Sequence, residues 1–521
     1  MSIPTETSPL LSSERQTTSL ARQYAKLILP TGIGIFLYAF DSTLIPATYA
    51  VIGSEFKQLE RTGWIATSYM LMLASVQPLY GKLSDIFGRN SCLILAYGVY
   101  GLGCVVCGVS QNMSQLILGR ALAGIGGAGL TTLVSILVAD LVPLKAVGTW
   151  NGILNVIFVV GQTAGSPVGG ALADGPGWRW AFIVQIPLLA AAAAIVLLLV
   201  PTNPMTPSQS IKEKLNRVDF TGAFCLVFAI STLLLGLDRA ADVAWIDPFT
   251  IGLIVLAVIL AILFWNVEAK IATEPFAPPH IMAHKNLLGC YFCDFFSIAA
   301  DSCLIFFLPL YLQSVQEKSA VVAGISLVPA AIAATLGTLL GGWSVQRTAT
   351  FKVPVLIGYL LQAFGSLLVV GVLTAPQTSV TGVVTAYAIA SFGCGFGITT
   401  TVVAIVAHAG PSSKAIANAG AVIGILAGST IIQNSLRWLL YRRLHTSDDI
   451  DDIVKGVRSS LDYIHTLPLD TQAVVRMAYH EAMFYAFVFA FALSLGAVLS
   501  AVGIANVSLS SEEPSSSEES P

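Results

Sequence analysis

Charged side chains are scarce in this sequence. Of its 521 residues, 26 are Lys or Arg and 29 are Asp or Glu, so charged residues make up 11% of the chain, against roughly 25% in a typical soluble domain. Hydrophobic residues make up 55%. A soluble protein cannot bury so much apolar surface, because large chains divide into domains that each need a polar exterior. The composition excludes an ordinary soluble enzyme, a secreted disulfide scaffold and a disordered protein, and it predicts a lipid bilayer as the surroundings.

Further absences narrow the class of protein. The net charge of −3 comes without a basic cluster, so we predict no nucleic-acid partner. The 8 Cys all fall in apolar runs, and the Cys-x-x-Cys pairs at 104–107 and 290–293 have no His or further Cys beside them. We interpret them as small apolar side chains and predict no metal and no cofactor. The sequence also has no phosphate-binding Gly-x-x-x-x-Gly-Lys loop, which argues against an enzyme.

Apolar runs long enough to cross a membrane are abundant. About 20 apolar residues cross the hydrocarbon core as a helix. Fourteen such runs are predicted to span the membrane, at 27–50, 64–80, 91–110, 115–138, 147–173, 178–200, 218–237, 245–265, 287–312, 319–342, 353–373, 380–407, 414–434 and 482–504. The predicted fold class is all-α and integral to the membrane.

Polar segments divide these spans into groups of six, two and six. Residues 27–200 hold the first six, the linkers of 201–286 hold two extra spans, and 287–504 hold the second six. The polar segments 1–26 and 505–521 are predicted to be disordered tails, because they cannot bury an apolar face.

Basic residues in short loops predict the orientation, because they are enriched on the cytosolic side. With the N-terminus inside, most short-loop Lys and Arg fall on the cytosolic side, including Lys82 and Arg89. Both termini are then cytosolic. The long loop 435–481 falls on the other side despite its own basic residues, since long loops count little in this rule.

A short motif recurs at an offset of 260 residues. Segment 39–45 resembles segment 299–305, which pairs Asp41 with Asp301. The same offset pairs Gly81 with Gly341 and Gly98 with Gly358. We interpret the two groups of six spans as duplicated halves, with the two extra spans inserted between them.

The connection between spans 2 and 3 reads Gly81-Lys-Leu-Ser-Asp85-Ile-Phe-Gly88-Arg89. Glycine permits a tight turn, and Asp85 and Arg89 can pair across it or cap helix ends. An ordinary solvated turn would also fit. In this position the segment resembles the signature loop of the major facilitator superfamily, and the resemblance implies a cytosolic gate formed by Gly81, Asp85, Gly88 and Arg89.

Further motifs extend this resemblance over nearly the whole chain. Leu118-x-Arg120 with the glycines after it resembles the basic motif of the family's fourth helix. The residues of span 5 that resemble the antiporter motif are Gly161, Gly165, Pro167, Gly169 and Gly170. Ser166 departs from that motif, and the final glycine pair comes one residue early. The chain most resembles the fourteen-span drug:proton antiporter branch, and within it the fungal vacuolar basic amino acid transporters and their multidrug relatives. The resemblance implies two six-helix bundles with two inserted central helices, and in such folds the substrate site lies between the bundles.

Charges at bilayer depth are the candidate functional residues, because an ionisable group there is costly. We hypothesise that Asp41 in span 1 pairs with Arg120 in span 4 and exchanges a proton; a purely structural ion pair is the alternative. Asp301, as the repeat partner of Asp41, completes the predicted proton-coupling set. Asp294 lies seven residues before Asp301, so both carboxylates share a helix face and suit a cavity wall that attracts cations. An Asp294 that merely reaches water near its helix end is the alternative.

The remaining predictions concern the cavity lining and the membrane. Tyr38 and Gln162 are expected to line the substrate cavity with the three acids. Glu6-x-x-x-Leu10-Leu11 fits an acidic dileucine signal, which adaptor complexes read on cytosolic tails; coincidence in a Ser/Thr-rich tail is the alternative. If the signal is real, it favours a vacuolar membrane.

These observations predict a proton-coupled antiporter that moves small cationic solutes from the cytosol into the vacuole by alternating access. The cationic charge of the substrate follows from the three acids, whereas the choice of basic amino acids is implied by the resemblance alone. A plasma-membrane multidrug:proton exporter and a non-transporting nutrient receptor are the alternatives.

Overall fold

The computed structural model describes residues 8–141, 144–199, 220–242, 247–270, 285–348, 352–374, 379–409, 414–444 and 450–504. Fourteen long helices make up most of these residues. In chain order they are α1 Ser8–Phe56, α2 Gly63–Phe87, α3 Arg89–Val109, α4 Met113–Leu141, α5 Leu144–Asp174, α6 Gln185–Leu199, α7 Phe220–Asp242, α8 Pro248–Lys270, α9 Lys285–Ser314, α10 Val328–Thr348, α11 Lys352–Leu373, α12 Val380–Ala409, α13 Lys414–Arg443 and α14 Leu469–Val502. Short helices Trp180–Ile183 and Ala320–Ile325 precede α6 and α10. No strand occurs in the described ranges, and each predicted span falls on one of the fourteen helices.

Eleven of these helices are long and apolar enough to cross a membrane, counted over the described residues. The other three are α2, α7 and α13, and they pack against one another. The all-helical membrane fold is confirmed, and the finer count of fourteen spans is not.

Two six-helix bundles repeat the same packing. In the first bundle α1 packs on α5, α2 on α4, and α3 on both α4 and α6. The second bundle repeats each of these pairs, with α9 on α13, α10 on α12, and α11 on both α12 and α14. The bundles meet through α2 with α13, α5 with α10, and α1 with α9. The helices α7 and α8 form a pair, and α7 of this pair packs against α2 and α13.

The packing repeats at a different offset from the one read in the sequence. Glycines of α5 and α13 lie against carbonyl oxygens of α1 and α9, too close for a β-carbon; the pairs are Gly161 with Phe36, Gly165 with Phe40, Gly420 with Phe295, and Gly424 with Ala299. Every member recurs after 259 residues, one fewer than 260. At this offset Ala300, and not Asp301, takes the place of Asp41. Asp301 is therefore turned by about 100° around its helix relative to Asp41, since an α-helix has 3.6 residues per turn.

The first helix begins well before the predicted span. Residues from Ser8 onward are helical, whereas 1–26 was predicted to be disordered. The segment 14–26 contains several strong helix formers, among them Arg, Gln, Leu and Ala, so the membrane helix can extend into it. Residues 505–521, the other predicted tail, lie outside the described residues.

The segment 435–481, predicted to be a long loop, is largely helical. It holds the end of α13, short helices Ile450–Ser459 and Asp462–His465, and the first turns of α14. We call residues 450–468 the cap, and the end of the bundle where they lie the cap end. The Leu461 amide donates to Ser54 Oγ over 2.9 Å, and Val454 and Val457 are buried in a core shared by both bundles. The cap therefore joins the two bundles at this end.

Candidate functional site

Asp41 and Arg120 form a buried ion pair between α1 and α4. Nη1 of Arg120 lies 2.8 Å from both carboxylate oxygens of Asp41. The two side chains are only 1% and 3% exposed. The contact predicted from the sequence is therefore present. Because both charges are removed from water, each depends on the other for compensation.

The guanidinium of Arg120 is fixed on its other sides as well. Its Nε donates to the carbonyl oxygen of Ile65 over 3.1 Å. Its Cζ lies 4.3 Å from the centre of the Tyr69 ring, a distance at which the ring face attracts a cation. Both contacts come from α2. The arginine therefore links three helices of the first bundle around one carboxylate, and a change in that carboxylate acts on all three.

Asp301 occupies a different environment in the second bundle. Its carboxyl is half-buried and accepts hydrogen bonds from Ser391 over 3.2 Å and from Tyr387. Both partners lie on α12. Among the described residues no Lys or Arg forms an ion pair with it. The acid that the sequence matched with Asp41 is thus solvated by hydroxyl groups rather than by a cation.

Asp294 lies deeper in the second bundle, with 4% of the residue exposed. Tyr359 of α11 donates to its Oδ1 over 3.0 Å, and Thr401 of α12 donates to the same oxygen. Asp294 and Asp301 both contact α12, so they share a helix face as predicted. The Asp294 carboxyl is enclosed by helices of its own bundle, so its place in a substrate cavity stays a prediction.

The two polar residues expected beside the acids lie on α1 and α5. The Tyr38 ring is half-buried and lies 6.2 Å from the Phe158 ring. Thr43, two residues from Asp41, donates to the backbone oxygen of Gln162 over 2.8 Å. Tyr38 and Gln162 thus border the α1–α5 contact close to the ion pair.

The loop between α2 and α3 is a compact charged turn. Gly88 has φ +91°, a value that glycine adopts readily and other residues rarely do. Arg89 binds both Asp85 and Ser84 within the turn. Its Nε also lies 2.9 Å from Asp140 at the end of α4. Asp140 was not predicted from the sequence. Its position as an acid at the end of the fourth helix, on the same side as this loop, could have indicated it.

The span-5 motif lies at the junction of the bundles. Gly161, Gly165 and Gly169 face α1 of their own bundle, whereas Gly170 faces the carbonyl of Ala320 in the other bundle. Ser166, which departs from the family pattern, donates to the carbonyl of Gly324. This face of α5 therefore fixes the cap end of one bundle against the other.

The N-terminal sorting motif is only partly covered. Leu10 and Leu11 lie near the start of α1, and Glu6 lies outside the described residues. No group of three or more potential metal ligands occurs among the described residues.

Comparisons with known proteins agree on one family. Residues 31–432 match the model of the Major Facilitator Superfamily. The vacuolar membrane amino acid uptake transporter fnx2 of Schizosaccharomyces pombe is 35% identical over 484 residues, which cover 91% of this chain and 82% of that protein. The multidrug resistance protein fnx1 of the same yeast is 33% identical over 500 residues, 94% of each chain.

A third fungal relative and a solved structure extend the comparison. Vacuolar basic amino acid transporter 1 of Saccharomyces cerevisiae is 30% identical over 350 residues, covering 65% of this chain and 60% of that protein. A bacterial homolog of the human lysosomal transporter Spinster superposes with a TM-score of 0.61 over 92% of this chain and 98% of its own, at 16% identity. That structural likeness concerns the fold alone.

Proposed function

The chain belongs to the major facilitator superfamily, and on that basis we propose that it is a proton-coupled antiporter that moves small cationic solutes, foremost basic amino acids, from the cytosol into the vacuole. Relatives named as vacuolar amino acid transporters support the substrate and the membrane. The antiporter-like motif on α5 supports exchange rather than one-way transport.

The buried pair of Asp41 and Arg120 carries this proposal. A carboxylate held by one arginine can give up that partner when it takes a proton, and Arg120 then releases α1 while keeping its contacts with α2. Protonation would thereby change how α1 packs against α4. Alternating access needs such a link between a proton and a helix contact.

The substrate cavity of the proposal lies between the bundles. Asp301 is the half-buried acid of the second bundle and suits an ammonium or guanidinium group. We place Tyr38 and Gln162 on the facing side, and Asp41 beside them as the group that exchanges substrate for a proton. The turn with Asp85, Arg89 and Asp140 is the proposed cytosolic gate, and the cap closes the lumenal end.

Proteoliposomes with an acidic interior test the proposal. We expect labelled arginine, lysine and histidine to accumulate inside while protons leave, and we expect a protonophore to abolish the accumulation. Protein-free vesicles and labelled leucine serve as controls. If a lipophilic cationic dye accumulates and none of the three amino acids does, the alternative hypothesis of a multidrug:proton exporter is correct. If the folded protein binds an amino acid without transporting it across the membrane, the alternative hypothesis of a non-transporting nutrient receptor is correct.

Fourteen spans, two cytosolic termini and vacuolar sorting complete the proposal. We expect Leu10→Ala with Leu11→Ala to move a fluorescent fusion from the vacuolar membrane to the cell surface, because adaptor complexes would no longer bind the tail. Leu20→Ala is the matched control in the same segment. A double variant that stays on the vacuole removes the dileucine argument and the proposed adaptor partner.

A further inference from the structure

Three oxygen atoms form a closed triangle inside the second bundle. Tyr359 Oη lies 3.0 Å from Asp294 Oδ1 and 3.1 Å from Thr401 Oγ1, and Thr401 Oγ1 contacts Asp294 Oδ1. All three residues are buried. The triangle joins α9, α11 and α12, and it is separate from the pair of Asp41 and Arg120.

Counting hydrogens decides which form of Asp294 fits this triangle. Tyr and Thr hydroxyls each bring one hydrogen, and an ionised carboxylate brings none. Three contacts would then share two hydrogens, so one contact would join two oxygens with no hydrogen between them. Thr401 Oγ1 also lies 3.0 Å from the Gly397 carbonyl and 2.9 Å from the Ile398 carbonyl, which compete for its hydrogen. A protonated Asp294 supplies the missing hydrogen.

The surrounding charges give the same answer. The titratable groups that face Asp294 are Cys290, Tyr291 and Cys293 on α9, Tyr359 on α11, and Cys394 on α12. None of them can be a cation, and the described residues of α13 and α14 bring no charged side chain against it. A buried charge without a partner costs several kcal/mol. A bound proton removes that cost.

We propose that Asp294, Tyr359 and Thr401 form a proton-binding site of the second bundle, distinct from the Asp41–Arg120 pair. The inference goes beyond the proposed function, since proton binding here does not depend on which solute is moved. It also gives Asp294 a different role from the one predicted from the sequence. Asp294 is enclosed by helices of its own bundle and holds a proton, instead of lining the cavity and attracting a cationic substrate. Among the described residues each bundle then contains one buried carboxyl group, balanced by arginine in the first and by a proton in the second.

Infrared spectroscopy of the purified protein tests the site. At neutral pH we expect the carbonyl stretching band of a protonated carboxylic acid, lost in Asp294→Asn and retained in the control variant Asp247→Asn, which changes a partly exposed acid. Asp301→Asn separates any contribution of the neighbouring acid. The readout needs no transport, so failure of the amino acid proposal leaves it unaffected.

Two further variants test the site independently, in case Asp294→Asn does not fold. Tyr359→Phe and Thr401→Val each remove one oxygen of the triangle, so each should shift the frequency of the band. A band that is unchanged in Asp294→Asn, or that moves in neither hydroxyl variant, overturns the inference. A carboxylate band of Asp294 that persists at neutral pH and depends on added sodium overturns it as well, because the site would then hold a metal cation.

Discussion

Asp41→Asn is expected to abolish pH-gradient-driven uptake and to destabilise the protein at the same time. The amide cannot carry the exchanged proton, so accumulation should fall to the level of protein-free vesicles. The change also leaves Arg120 as an uncompensated charge with 3% of its side chain exposed. Removing one partner of a buried ion pair costs about 3–5 kcal/mol. Labelled arginine uptake and thermal unfolding in detergent measure the two effects.

A double variant separates coupling from folding. Asp41→Asn with Arg120→Gln replaces the ion pair by two amides, so no buried charge is left without a partner. We expect most of the lost stability to return, because neutral replacement of a buried pair is often tolerated. Uptake should stay at background, since no group at this position can exchange a proton.

The matched control changes an acid at the surface. Asp247 pairs with Arg239 over 3.1 Å, and both side chains are partly exposed. Exposed pairs contribute little, so Asp247→Asn should keep wild-type uptake and stability. Uptake that survives in a stable Asp41→Asn protein would contradict the coupling role, and Asp301 would then be the acid to test. Loss of uptake in the double variant and not in the single one would contradict it too.

The helices and the central ion pair could be predicted from the sequence for a physical reason. Apolar runs of membrane length are visible without any knowledge of packing, and a charge inside such a run needs a partner. Asp41 and Arg120 were thus found because both stand out against an apolar background. The segment 450–464 has a helix-like pattern, but its packing over both bundles could not be predicted, because the helix Ile450–Ser459 is short and charged and only Val454 and Val457 are buried, by contact with distant segments.

The hydroxyl partners of the second bundle could not be predicted in this way. Tyr359 and Thr401 are 65 and 107 residues from Asp294, and hydroxyl residues are common in membrane helices. Arg89 and Asp140 are likewise 51 residues apart. Such pairs arise only when the helices pack, so no local pattern marks them. The sequence therefore indicates where a buried acid lies and leaves open what surrounds it.

The register of the repeat was misread because apolar motifs match by composition. A β-carbon added at Gly98 would meet nothing within 4 Å, whereas one added at its sequence partner Gly358 would meet the backbone of Gly397. The two glycines therefore have different packing environments and are not structural equivalents. The contacts that do recur depend on glycine itself, because only glycine lets one helix backbone touch another so closely.

Gly165→Ala is expected to weaken the packing of α5 on α1 strongly. The new β-carbon would lie against the Phe40 carbonyl and the hydroxyl of Thr43, and a backbone carbonyl cannot turn away as a flexible side chain can. Overpacking of this kind costs about 1–3 kcal/mol. Thermal unfolding of the purified variant measures the loss, and uptake should fall with it because Asp41 is on the same helix as Phe40.

The same substitution elsewhere isolates the contact. Gly98→Ala and Gly252→Ala add the same methyl group where nothing lies within 4 Å, so each should be at least as stable as the wild type and up to about 1 kcal/mol more stable, because alanine favours a helix over glycine. Gly424→Ala should resemble Gly165→Ala, because it meets the Ala299 carbonyl in the second bundle. The packing register makes this prediction and the sequence register does not, since an offset of 260 would match Gly165 with Ile425, which already carries a large side chain.

Equal stability of Gly424→Ala and Gly98→Ala would refute the shared contact. A similar loss in Gly165→Ala and Gly424→Ala, additive when both are changed because the two sites share no partners, would show that the bundles are duplicated in their packing as well as in their helix order.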